Sequence, residues 1–344
     1  KKTIMSDTHE KFKRLTALPY NEQAIWFLNG FWGDGIGSEE ANQVWKYIEK
    51  FVELDLMGPD RKGEKGNELD VFWSAKFLED MDKAITAKER KEALKTIDHD
   101  NNGRMAAIEY LIWRYKKSVD ECADAPQGDN TAAIAAAQKK LEQVMNQLKE
   151  CESALERQKE AKKANEAAQR DLEKQEADLK VAEAELQEAI ADLKRQEEEY
   201  QGKIKTLEDK IANPSTSGMQ KARANNELAQ LKSEDPLPLR RAKITQEAAL
   251  RKVKKQQKAV VEAKAELARK AEALAKAISD LEDSYKKLEA KMQEAREELE
   301  KVKSKPGGGK GAIWWLERQL FEADSRLPTS RMKYDHSKPF DFNP

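Results

Sequence analysis

Histidine and cysteine are scarce in this 344-residue chain, with three of the first and two of the second. His9, His99 and His336 are scattered, and Cys122 and Cys151 form neither a zinc motif nor a disulfide framework. No nucleophile motif or dinucleotide fingerprint accompanies them, so the reading is non-enzymatic, and the free thiols suit a reducing cytoplasm. No stretch approaches the roughly 18 apolar residues of a membrane span, and no signal-peptide core is present. A charge excess is missing too: 63 basic against 64 acidic residues leave a net −1, which gives no general attraction to nucleic acid. Aromatic residues are nearly absent from the middle, where only Tyr200 and Tyr285 occur. Five tryptophans precede residue 120, and Trp314 and Trp315 follow residue 310. What the chain has in abundance is charge, 37% of residues at a mean hydropathy of −0.89. This pattern predicts a globular head and a tail flanking a solvated helical rod. Met5-Ser6-Asp7 reads as a natural start, with the first four residues an addition.

Residues 98 to 113, DHDNNGRMAAIEYLIW, carry the most specific chemistry. With Asp98 as position 1, Asp100 falls at 3, Asn102 at 5, Gly103 at 6, the Arg104 carbonyl at 7 and Glu109 at 12. A hard cation such as Ca2+ needs six or more oxygens, a sharp turn where a residue without a Cβ is least strained, and a carboxylate that closes the site with both oxygens. Upstream, Thr86 and Glu89 are spaced as a capping box. Downstream, Ile108, Leu111, Ile112 and Tyr115 recur at helical spacing. This stretch resembles the EF-hand calcium-binding family, and the resemblance implies a metal site of Asp98, Asp100, Asn102, Arg104 and Glu109. Ala106 at position 9 brings no side-chain oxygen, so water fills that place, and three carboxylates imply sensor-like or weaker affinity.

Such hands pack in pairs. A predicted helix over 38–54 leads into DLMGPDRKGEKGNELD and a second helix, VFWSAKFLEDM. Placing Leu69 at the hydrophobic eighth position puts Trp73 where the closing glutamate belongs. This first hand therefore reads as a degenerate partner; an irregular site built from Asp55, Asp60, Glu64, Glu68 and Asp70 is the alternative. Residues 1–120 are then an EF-hand-pair head, with Ala24, Phe27, Leu28 and Phe31 marking a further helix, and 121–130 a linker.

Residues 131–304 read as a coiled-coil hairpin. One heptad register holds from Leu141 to Ile211, with Ile190 among its a positions. A second holds from Leu250 to Val302 and includes Ile278. ANPSTSG, 212–218, is the predicted tip, and Pro236 and Pro238 predict a kink near 235–239. The two arms have matching lengths of about 125 Å at 1.5 Å per residue, which favours an antiparallel monomeric hairpin; a parallel dimer is the alternative. Lys162, Gln169, Glu176 and Glu183 at a positions leave the middle of the seam polar.

Residues 305–344 read as a glycine hinge, an amphipathic helix and a tail. The glycine run lacks the Lys-Ser/Thr ending and the preceding strand of a phosphate loop. Beyond it, Ile313, Trp314, Leu316, Leu320 and Phe321 form an apolar stripe that needs a partner, either the head or an external protein. The whole is all-α, an EF-hand-like helical head on a long antiparallel coiled-coil hairpin with a short C-terminal helix. In architecture it is similar to cytoskeletal proteins that join EF-hands to a coiled coil. That resemblance implies a cytoplasmic, calcium-regulated linker of cytoskeletal filaments, actin first among them. A calcium-gated adaptor for a helical protein partner and a calcium-stapled structural rod are the other readings.

Overall fold

The computed structural model describes residues 2–81, 86–233, 236–305 and 307–342. The chain is all-α. Its helices are α1 (Lys2–Thr16), α2 (Tyr20–Gly30), α3 (Ile36–Met57), α4 (Val71–Met81), α5 (Ala87–Ile97), α6 (Ala107–Arg114), α7 (Val119–Ala123), α8 (Thr131–Ala212), α9 (Gly218–Ser233), α10 (Leu237–Lys303) and α11 (Lys310–Ser325). Two-residue strands β1 (Glu68–Leu69) and β2 (Met105–Ala106) pair antiparallel, with Glu68 opposite Ala106 and Leu69 opposite Met105.

The chain divides into two compact units. The first holds residues 1–151 and 284–344, so it joins the N-terminal helices to the first turns of α8, the last turns of α10 and α11. This boundary differs from the head ending at 120 because the core does not stop there. Leu141, Val144 and Leu148 of α8 and Leu288, Met292 and Leu299 of α10 are buried in the same cluster as Phe27, Phe51 and Tyr110. Each such side chain contributes about 1.5–3 kcal/mol by leaving water.

Within this unit the glycine run is packed rather than a loose hinge. Asp129 N donates to the Gly307 carbonyl at 2.7 Å, and a Cβ on Gly128 would lie 2.6 Å from Gly309 N. Gly128 and Gly309 both have φ +80°, so glycine serves here for left-handed backbone and close chain approach. Pro306 of the predicted hinge lies outside the described residues.

The second unit, residues 152–283, is a pair of antiparallel helical arms. Lys252 pairs with Glu185, Lys264 with Glu176 and Lys232 with Glu208, so partners fall on one arm as positions rise on the other. Tyr200 Oη donates to the Leu231 carbonyl at 3.0 Å. At the tip, Asn213 Oδ1 accepts from Ser215 N at 3.0 Å and ends α8. Residues 234 and 235 of the predicted kink lie outside the description; the described helices stop at Ser233 and resume at Leu237, which places Pro238 in a first turn where it displaces no helical hydrogen bond.

The seam differs in detail from the heptad reading. Ile190 is 46% exposed and Ile278 50%, whereas Ala182, Ala189, Ala224, Ala242 and Ala263 are buried beside Val253 and Val260. Ala182 and Ala189 stand one residue before the a positions Glu183 and Ile190, so the buried line in this part of α8 keeps the seven-residue spacing but runs one residue earlier.

Candidate functional site

The helix–loop–helix from α5 to α6 is built from local rules. Thr86 Oγ1 accepts from Glu89 N at 3.3 Å while Thr86 N donates to Glu89 Oε2 at 2.6 Å, which starts α5. After Ile97 the chain turns through Asn101, φ +56°, and Gly103, φ +74°. Backbone amides orient the acids: Asn102 N donates to Asp98 Oδ1 and Asp100 Oδ1 at 3.0 and 3.1 Å, and Gly103 N donates to Asp98 Oδ2 at 2.9 Å. Asn102 Oδ1 accepts from Arg104 N at 2.7 Å.

Glu109 is the closing group. It is 1% exposed, and its two oxygens accept from His99 N and Ala106 N, both at 2.9 Å. Burial, with Asp98 and Asp100 adding to it, pushes its carboxyl up to about 7 against the pull of the two N–H groups. Oxygens of Asp98, Asp100 and Glu109 lie within 4.8 Å of one another, and this is the one such convergence of three potential metal ligands among the described residues. The donors are all oxygen, carboxylate-rich and turned inward around a tight loop, which fits a hard divalent cation such as calcium. Asn102 and the Arg104 carbonyl lie on the same loop.

The neighbouring loop, 58–70, is acidic as well, yet its acids do not converge. Asp55, 5% exposed, accepts from Gly63 N at 2.6 Å and from Tyr20 Oη at 3.1 Å. Asp60 lies 3.5 Å from Arg104, Asp70 caps Trp73 N at 3.0 Å, and Glu64 is exposed. Each of Asp55, Asp60 and Asp70 is held by a different partner, which keeps these acids apart.

Gln23, absent from any reading of the sequence alone, joins the two loops. Fully buried, it donates through Nε2 to the Leu18 and Asn67 carbonyls at 2.6 and 2.9 Å and accepts through Oε1 from Ile108 N at 2.8 Å. It fixes the first turn of α6, from which Glu109 projects. Nothing in a lone glutamine on an amphipathic helix signals that role.

The C-terminal stripe is placed against the first unit's helices. Ile313, Trp314, Leu316 and Leu320 are buried, and Trp315 packs on Trp45 at 4.6 Å between ring centroids. Ala312 N donates to Asn29 Oδ1 at 2.8 Å, and a Cβ on Gly311 would lie 2.5 Å from backbone of Leu28 and Asn29, so α11 meets α2 at backbone contact. Phe321 is half-buried and turns toward the C-terminal segment, where it meets Tyr334, His336 and Phe340 at 5.4, 4.3 and 5.2 Å. Asp324, fully buried, anchors that segment by accepting from Lys333 N, Tyr334 N and Arg296. Burial raises its pKa, but these hydrogen bonds and His336 outweigh burial and hold it below the ordinary aspartate value.

Comparison with known proteins adds a second line of observation. Residues 173–305 match the family described as F actin bundling C terminal. A calcium-regulated actin-bundling protein of Dictyostelium discoideum is 27% identical over 176 residues, which are 42% of this chain and 59% of that protein. The crystal structure of a 34 kDa F-actin bundling protein from Dictyostelium discoideum superposes with a TM-score of 0.46 at 19% identity, covering 93% of this chain and 96% of that one. No helix among the described residues is long and apolar enough to cross a membrane.

Proposed function

We propose that this chain is a non-enzymatic, calcium-regulated cross-linker of actin filaments, cytoplasmic and cytoskeleton-associated. The observation that carries the reading is the presence in one chain of an inward-turned oxygen cage at 98–109 and, separately, of antiparallel arms whose residues 173–305 match an F-actin-bundling family. The residue 55–70 and 98–109 loops are an EF-hand pair, the first degenerate and the second competent. Asp98, Asp100, Asn102, the Arg104 carbonyl and Glu109 hold one calcium ion. The arms form a coiled-coil hairpin in a monomer. On α10, Arg240, Arg241, Lys243, Arg251, Lys252, Lys254, Lys255 and Lys258 are exposed, with Glu247 the lone acid between them. This local basic stretch suits an acidic filament even though the whole chain is near neutral.

Calcium enters through Glu109. Ligation draws the carboxylate and the first turn of α6 onto the ion, and Gln23 passes that constraint to α2, on which α11 is packed. Low-speed sedimentation of actin filaments tests the reading. The chain is expected to bring filaments down as bundles, to a different extent in calcium than in chelator, and Glu109→Gln is expected to abolish the difference. Filaments left in the supernatant under both conditions would contradict it.

A further inference from the structure

Beside α11 in the first unit lies a groove of about 400 Å³ that belongs neither to the carboxylate cage nor to the family-matched stretch. Ile48, Val52 and Leu56 of α3, Met145 of α8 and Trp315 of α11 supply its apolar wall. It persists with α11 already docked, so the C-terminal stripe does not fill it.

Two further features define what it would accept. Three residues that line it carry side-chain polar atoms buried without a hydrogen-bond partner: Asn21 Oδ1, Trp45 Nε1 and Trp315 Nε1. Such orphaned groups are rare in native proteins and call for a partner that can both accept and donate. The charge around the groove is one-sided, with Glu49, Glu53, Glu64 and Glu322 against Arg326. Glu53 is held by Lys50 and Glu322 by Arg318, whereas Glu49 and Glu64 have no ion-pair partner among the described residues.

We propose that this groove docks a basic, leucine-rich peptide segment of another protein. An aliphatic side chain covers Val52 and Leu56, the latter 54% exposed in the free chain. Lysines or arginines beside it meet Glu49 and Glu64. A peptide backbone supplies carbonyls for the indole N–H groups and an N–H for the asparagine oxygen once side chains at the groove adjust to it. The four glutamates oppose anionic ligands such as nucleotides or acidic peptides.

Fluorescence anisotropy of a short dansyl-labelled leucine–lysine peptide, titrated with the 344-residue chain, tests this. Saturable binding is expected, weakened at least about tenfold by the exposed double substitution Glu49→Lys/Glu64→Lys and likewise by Leu56→Asp. The glutamate counterpart of the peptide is expected not to bind. Unaltered far-ultraviolet circular dichroism and calcium affinity would show that the variants remain folded. Equal binding of the acidic peptide, or binding that the three substitutions leave unchanged, would overturn the proposal. So would a failure to bind coupled with a concentration-dependent dimer that Glu49→Lys/Glu64→Lys abolishes, which would assign the groove to a second copy of the chain.

Discussion

Across the pairing of Glu68–Leu69 with Met105–Ala106, two acidic loops lie side by side and treat their charge in opposite ways. In 98–109, Asp98, Asp100 and Glu109 are drawn together until one carboxyl is pushed up to about 7 by burial and by its neighbours. In 55–70, the buried acid Asp55 accepts hydrogen bonds from Tyr20 and Gly63, and desolvation of the Tyr20 phenol, with the Asp55 charge adding to it, raises that hydroxyl far above an ordinary tyrosine. Loop acidity alone therefore does not make a metal site. What matters is whether the carboxylates converge. In 98–109 three of them lie within 4.8 Å of one another, whereas in 55–70 they are held apart on separate donors: Gly63 and Tyr20, Arg104, and Trp73.

The largest effect expected from breaking this contrast is at Glu109. Glu109→Gln should lower calcium affinity by more than about a hundredfold, beyond the 10–100-fold typical of losing even an outer-shell group, as read by calorimetry. Asp55→Ala should do the reverse. It leaves Tyr20 Oη and Gly63 N buried without an acceptor, at about 1–3 kcal/mol each in urea unfolding of calcium-loaded protein, and it leaves calcium stoichiometry unchanged. Gln23→Met sharpens the link between the loops. Removing its amide orphans Ile108 N and should cost about 1–3 kcal/mol together with a smaller loss of calcium affinity, whereas a merely structural role would leave affinity untouched.

The pH dependence follows from the raised carboxyl of Glu109. Calcium must displace its proton below about pH 7, so affinity should fall by up to about tenfold per pH unit on going below 7 and level off above it. In the calcium-free chain the sign for stability is opposite to that of a salt-bridged acid. This group's contribution is present below its ordinary value of 4.5 and is lost as pH rises through about 7, while the calcium-loaded chain keeps its stability there. The smallest effect lies outside both loops: Lys140→Ala removes an exposed ion pair with Glu294 and should leave the urea-unfolding midpoint essentially unchanged.

How much of this was legible depends on how local each interaction is. Ligand types at fixed spacing between two helices make 98–109 visible, because the amides that orient its carboxylates lie within a dozen residues. The apolar period likewise revealed α11, whose 16 residues would be marginal without a surface to bury against. Tyr20 and Gln23 were not legible, since they act on groups 35 and 85 residues away and leave no pattern around themselves. The packed glycines at 307–309 read as a hinge because their partners, residues 128–130, are separated from them in the sequence by the whole of both arms. Ile190 reads as a seam residue because a heptad count favours the larger apolar side chain, while the structure buries its small neighbour Ala189. The clasp of Phe321 and Asp324 on residues 333–340 escaped notice for the same reason as Gln23, an anchor of single residues without periodicity.

The contrast between the loops is tested most directly by counting the calcium ions that the 344-residue chain holds at saturation, by native mass spectrometry of the wild type and of Glu109→Gln. One ion on the wild type and none on the variant is the predicted result. A second ion on the wild type, or an ion retained by the variant, would contradict the assignment of calcium to the 98–109 loop alone.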